Sequence, residues 1–454
     1  MTTSNWFGRL AFASAALLAA SVAAQEVTVF RNVAVVPMDT ERVLEAQTVV
    51  VRGARIESIG PTARTEVPRG ARVIDGAGRY LMPGLAEMHA HVPTGTVPGS
   101  VEEVLFLYVA NGVTTARGML GVPLHLELRE QIARHEVLGP RLFTSGPSLN
   151  DQRVGSPADA ERMVREQAAA GYDFVKVHPG PTRAEYDAAV AAAAASGITL
   201  AGHVPADVGV RRALEAKQAT IDHLDGYLEA LVPEGQRGAG GFFGLNLADA
   251  ADRSLIPELV AATLAAGVWN VPTQTLIDNV PAPSPTVDEL LARSELAYVS
   301  RETREQWANA KRNVTSAPGY DPDRALALVA VRRELIKALH DADAGLLLGS
   351  DAPQIFNVPG FSLHRELAAI VAAGLTPYEA LRTGTANAAV FFDAADEFGT
   401  IREGLAADLI LVSGNPLENF AALARPDGVM VRGRWLDRAE LDAGLAEIAA
   451  RYRQ

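Results

Sequence analysis

The 454-residue chain predicts an α/β fold, a (β/α)8 TIM barrel carrying a small β-sandwich built from both chain ends. Three observations predict it. Strand-like pieces alternate with helix-like stretches through the middle in units of about 25–35 residues, the rhythm of parallel strands joined by crossover helices. β-rich pieces flank that middle on both sides. Chemistry-bearing residues recur where the expected barrel strands end, which is where such barrels place their active sites.

The elements follow in chain order. Arg9 precedes an apolar run over residues 10–20, and Ser21-Val-Ala-Ala-Gln25 follows it. A basic start, a short apolar segment and small residues before a polar one describe a secretory signal peptide over residues 1–24, cleaved after Ala24. The run is short for a membrane span, and the alternative is an uncleaved anchor. The expectation is therefore a bacterial periplasmic or secreted protein, with no span left after cleavage. Residues 27–36 and 47–59 are rich in β-branched residues, broken at Asp39-Thr40 and Arg52-Gly53. They assign residues 25–80 to the sandwich. Residues 81–390 form the barrel, with strands expected near 113–116, 141–144, 174–177, 199–202, 220–222, 269–272 and 345–348, and helices such as 158–170 and 182–195. Residues 391–454 return to the sandwich through strands at 408–412 and 428–435 and end in a helix.

Composition narrows the function. A formal charge of −13 argues against a nucleic-acid partner. The absence of cysteine excludes disulfides and thiolate metal sites, so any metal site must use histidine, carboxylate or modified lysine.

The stretch that organises the chain is Leu81-Met-Pro-Gly-Leu-Ala-Glu-Met-His-Ala-His91. Side chains alternate along a strand, so His89 and His91 face one way and can grip one metal ion. Lys176 sits inside the apolar Asp173-Phe-Val-Lys-Val-His178; burial there depresses an ammonium, unless a carboxylate pairs with it. His203 ends Leu200-Ala-Gly-His, His223 ends Thr220-Ile-Asp-His, and Asp351 ends Leu346-Leu-Leu-Gly-Ser-Asp. Each alone is an ordinary residue; all of them at strand ends point to one site. Three further residues are candidates for substrate binding. Arg117 is placed to clamp a carboxylate or to form a structural ion pair, Tyr227 to hydrogen-bond a carbonyl or to pack at the rim, and His178 to line the pocket on the face of Lys176 or to cap its strand. His364 reads as structural, and His125, His135 and His340 as helix-surface residues. Gly238-Ala-Gly-Gly-Phe-Phe-Gly244 is an aromatic-bearing loop at the barrel top. Residues 278–323, with one helix expected over 287–313, read as a lid, an oligomer contact or a solvated flap.

With these motifs the chain resembles the metal-dependent amidohydrolase superfamily, on its imidazolonepropionase-like and prolidase-like (Xaa-Pro dipeptidase-type) branch. The marks are Pro83-Gly-Leu-Ala-Glu-Met-His-Ala-His91, Asn111-Gly-Val-Thr-Thr-Ala-Arg117, Phe174-Val-Lys176, Gly202-His203, Asp222-His223, Gly349-Ser-Asp351, Thr385-Ala-Asn387 and Gly404-Leu-Ala-Ala-Asp-Leu-Ile410. The resemblance implies two divalent ions. His89, His91 and Asp351 would hold one, His203 and His223 the second, and Lys176, carboxylated by carbon dioxide to N6-carboxylysine, would bridge them. Nitrogen and oxygen ligands make Zn2+ the first choice, with manganese, cobalt or iron as alternatives. The implied reaction is hydrolysis of amide C–N bonds in small substrates, dipeptides (Xaa-Pro among them) or N-acyl amino acids, with Asp351 as general base and acid. The alternatives are a cyclic amide or lactone hydrolase and a non-catalytic binding protein; a homo-oligomer is compatible with all three. Asp222 stands where relatives more often carry glutamate, and Gly349-Ser-Asp351 replaces Gly-Thr-Asp, so substrate identity does not transfer with the ligands.

Overall fold

The two chain ends meet in one sheet because their strands share an apolar face. Strand β1 (Val27–Val35) pairs antiparallel with β2 (Leu44–Arg52), which turns at Gly53 into β3 (Arg55–Pro61). Residues 72–83 form β4 (Arg72–Asp75) and β5 (Tyr80–Pro83), and the turn between them lets both run parallel to β1. From the far end, β13 (Leu409–Val412) pairs antiparallel with β5, Leu409 opposite Pro83. The hairpin β14 (Gly428–Val431) and β15 (Arg434–Asp437) extends the sheet. Phe30, Val49, Leu409 and Trp435 fill its inner face, with the Phe30 and Trp435 rings edge to face at 5.1 Å. In this computed structural model residues 26–236 and 240–453 are described; the leader expected over 1–24, its cleavage after Ala24, and Gly238-Ala239 of the glycine-rich loop lie outside them. Among the described residues no helix is long and apolar enough to cross a membrane.

The barrel strands are parallel, as the alternation predicts. They are β6 (Leu85–Ala90), β7 (Val113–Gly118), β8 (Arg141–Thr144), β9 (Val175–Val177), β10 (Leu200–Gly202), β11 (Thr220–Asp222) and β12 (Trp269–Val271). Bridges at Ser145–Phe174 and Leu149–Val177 join β8 to β9. The eighth stave, residues 345–352, closes the ring through bridges Asn270–Leu346 and Ala90–Ala352. Its Leu347 N–H donates to Asn270 O, and Leu348 O accepts from Met88 N–H.

The crossover helices carry their own start and stop signals. In helix Pro157–Ala170, Ser156 Oγ accepts the Asp159 N–H, Pro157 opens the first turn, and left-handed Gly171 ends it. The single helix expected over 287–313 is instead three pieces, Val287–Leu291, a 3-10 turn Ser294–Tyr298, and Arg301–Thr315. Ser300 causes the second break: its side chain accepts the Thr303 N–H and starts a new helix. The insertion is not a solvated flap. Trp307, Leu290 and Leu296 pack on Phe356 and Val358, and the Lys311 ammonium donates to Asn279 O, Val280 O and Ala282 O.

Candidate metal centre

Every residue expected at the centre sits at the C-terminal end of a barrel strand, but simple alternation is not what places His89. Glu87 points out of the barrel wall, where Ser350 N and Oγ donate to its carboxylate and Ser362 lies beyond. Strict alternation would turn His89 outward with Glu87. The β6–β7 register shifts between Glu87 and Ala90, and this bulge lets Met88 and His89 both face the interior. Two glycines make room. A Cβ on Gly202 would sit 2.6 Å from Lys176 Cδ, and one on Gly349 would sit 2.8 Å from His89 N. His223 (φ 63), Thr273 (φ 50) and Asp351 (φ 63) all hold left-handed backbone, which costs non-glycine residues energy and concentrates at functional sites.

The side chains converge closely. Donor atoms of His89, His223 and Asp351 all lie within 4.8 Å of one another. His91 Nε2 is 2.6 Å from Asp351 Oδ1, and His89 Nε2 is 3.5 Å from the same oxygen. Lys176 Nζ lies 3.4 Å from His89 Nε2 and 3.9 Å from Asp222 Oδ2. The His203 ring stands 4.5 Å from His223 and 5.0 Å from His178. Two outer nitrogens are held, His203 Nδ1 by Asp225 Oδ2 at 2.7 Å and His223 Nδ1 by Thr273 Oγ1 at 2.8 Å, whereas His89 Nδ1 lies 2.9 Å from Asp222 Oδ2 without hydrogen-bond geometry. Such outer partners fix ring orientation and tautomer.

Burial dominates the electrostatics. It drives His89 and His223 well below the usual imidazole range, so both rings are neutral donors. It takes the Lys176 ammonium down to about 8, bringing the neutral amine within reach near neutral pH. Burial also raises Asp222, but the Arg117 guanidinium and Lys176 more than offset this and leave its carboxyl lowered.

A pocket of about 280 Å3 opens over the centre, lined by His89, His91, His178, His203 and Asp351 with Leu276, Gln354, Ile355, Phe242 and Phe243. His178 therefore faces the pocket. Arg117 does not: its Nε donates to Met88 O, Nη1 to Thr220 Oγ1 and Nη2 to both Asp222 oxygens, between the rings of Phe174 and Phe391. It is an interior ion pair below the pocket floor, not a substrate clamp. Tyr227 is likewise turned away, its hydroxyl 2.8 Å from Thr263 Oγ1 in the wall behind β11. His125 is buried, not on a helix surface, with Nε2 3.0 Å from Pro93 O. Gln354 and Ile355 carry no motif that marks them in the sequence.

The residues present fit divalent ions. His223 Nε2 is buried with no hydrogen-bond partner, and the facing set is neutral imidazole, carboxylate and a depressed lysine.

The model of the amidohydrolase family matches residues 80–436. Bottromycin amidohydrolase is similar in structure at TM-score 0.73 and 25% identity, over 94% of this chain and 91% of that one. A candidate prolidase of Bifidobacterium longum shares the fold at TM-score 0.69 and 24% identity, over 94% and 99%. Among curated sequences, adenine deaminase 3 of Rhizobium meliloti (strain 1021) is 28% identical over 189 residues, 38% of this chain and only 31% of that protein.

Proposed function

The chain belongs to the amidohydrolase family, and from that premise we propose that it is a binuclear metal hydrolase cleaving C–N bonds of small amides. The substrates proposed are dipeptides, Xaa-Pro included, and N-acyl amino acids. The observation that carries the reading is that His89, His91, His203 and Asp351 line one pocket while His223 and Lys176 close on His89 and Asp351 from beside it. His89, His91 and Asp351 would hold one ion and His203 and His223 the other, with Lys176 between them. When bound, the ions, Zn2+ by preference, supply a nucleophilic water near neutral pH and polarise the substrate carbonyl.

The chain's own residues do the rest. Neutral Lys176 Nζ adds carbon dioxide and loses a proton, becoming an anionic carbamate with two oxygens, which suits a residue placed between two cations. Asp351 accepts the proton of the attacking water and returns it to the leaving nitrogen as the C–N bond breaks. Asp225 and Thr273 hold His203 and His223 in one tautomer. Phe242, Phe243, Leu276 and Ile355 exclude bulk water, which strengthens each charge interaction inside. The leader expected over residues 1–24 would export the enzyme; N-terminal sequencing of the exported protein, beginning at Gln25, tests that.

The test of function is amine release from a panel of dipeptides and N-acyl amino acids by the zinc-loaded protein, with Asp351→Asn as the blank. Release confined to a subset and absent from the blank supports the reading and names the leaving group. Silence across the panel with metal bound sinks it and turns attention to lactones and cyclic amides. The partial likeness to adenine deaminases favours one second reading, displacement of ammonia from an aminopurine. Free ammonia from adenine in the same assay would select it.

A further inference from the structure

Resting on the hydrolase reading above, we propose that a chamber beside the metal pocket is a subsite for the positively charged end of a substrate, with Glu229 as its specificity-determining carboxylate. The chamber holds about 380 Å3 and shares Pro179, His203, Phe242 and Phe243 with the pocket over the centre. An amide bond at the histidines can therefore extend a side chain directly into it.

The charged side chains lining the chamber are not equivalent. Asp225 is committed to His203 Nδ1 at 2.7 Å. Arg332 is committed to the wall, donating to His223 O, Pro272 O and Gln274 Oε1. Glu229 has no ion pair among the described residues; it accepts from backbone N–H groups, its own and that of Gly226, and feels the Arg332 guanidinium only at a distance. Burial pushes its carboxyl above the usual range. The loop opposite comes close, since a Cβ on Gly240 would sit 3.2 Å from Glu229 Oε1. A carboxylate kept largely from water with no cation in contact is costly, and a cation entering the chamber lowers that cost.

The remaining wall defines the shape of that cation. Val204, Leu224, Leu228 and Leu335 line the chamber with apolar surface. Apolar walls leading to one carboxylate suit a methylene stem ending in an ammonium or guanidinium, which forms charge-assisted hydrogen bonds there. The substrate class is thus an amide bearing a lysine-like or arginine-like side chain.

The experiment compares charged and neutral isosteres on the full zinc-loaded protein: Ala-Arg against Ala-citrulline, and Ala-Lys against Ala-norleucine. The expected preference for the charged member is roughly 10–100-fold in kcat/KM, carried mainly by KM, as a charge-assisted contact implies. Glu229→Gln brings the ratio close to one. Equal kcat/KM for both members in the wild type overturns the proposal, as does a ratio that survives Glu229→Gln. The wild-type comparison needs no variant to fold. If no amide is hydrolysed, the hydrolase reading fails separately, and titration calorimetry with arginine and citrulline decides the chamber. Tighter arginine binding that Glu229→Gln removes supports the subsite; equal binding overturns it.

Discussion

In the lower half of the barrel Ala86, Met88, Val271, Leu347 and Ala388 fill the interior, with Trp269, Phe391 and Phe392 packed against them. Toward the C-terminal ends of the staves, His89, His223 and Asp351 crowd their donor atoms together and His223 Nε2 stays buried without a partner. The lower layer obeys packing rules: apolar and close. The upper layer breaks them, with left-handed backbone at His223 and Asp351 and ionisable groups held from water. Between the two lies a sealed ionic layer, Arg117 on Asp222. The contrast teaches that stability and chemistry are separated along the strand axis, so the two can be broken independently.

The largest expected effect is at the mouth. Asp351→Asn should lower kcat by roughly 10²–10⁴-fold, the scale of a lost proton carrier, even at zinc concentrations that keep the site filled, with the apo thermal midpoint close to wild type; full activity with metal bound would refute its role. One layer down, Arg117→Met strands Asp222 without its partner. Denaturant unfolding should show a loss of about 3–5 kcal/mol, the cost of leaving a buried charge unpaired. Lower still, Leu347→Ala should cost about 2–5 kcal/mol of stability while the folded fraction keeps its kcat within a few-fold. A kcat loss as large as that of Asp351→Asn would show that the layers are not separable. The smallest effect belongs to Tyr227→Phe, which removes one buried hydrogen bond and should cost about 1 kcal/mol with KM unchanged. A large rise in KM would restore Tyr227 as a substrate contact.

The barrel was legible because its strands are short apolar runs at regular spacing, and the six proposed ligands stood out because five lie at the ends of such runs and Lys176 lies inside one. The sheet shared by both ends was legible from β-branched runs alone. What was not legible required knowing which way a side chain turns. Arg117 ends β7 like a site residue, yet its guanidinium folds back to Asp222, a residue 105 positions away. Tyr227 opens a helix after left-handed Gly226, and that turn sends its hydroxyl to Thr263. The bulge that admits His89 leaves no composition signal, because alternation already pairs it with His91. Glu229, Gln354 and Ile355 sit on loops and a one-turn helix, where periodicity says nothing about which surface they face.

The central claim is a two-metal centre with Lys176 as the shared ligand, and metal content tests it most directly. Protein purified with zinc and bicarbonate should carry two equivalents per chain by plasma emission spectrometry, and Lys176→Ala should carry one or fewer at an unchanged thermal midpoint of the apo form. Fewer than one equivalent in the wild type, or two equivalents that survive Lys176→Ala, would contradict the account.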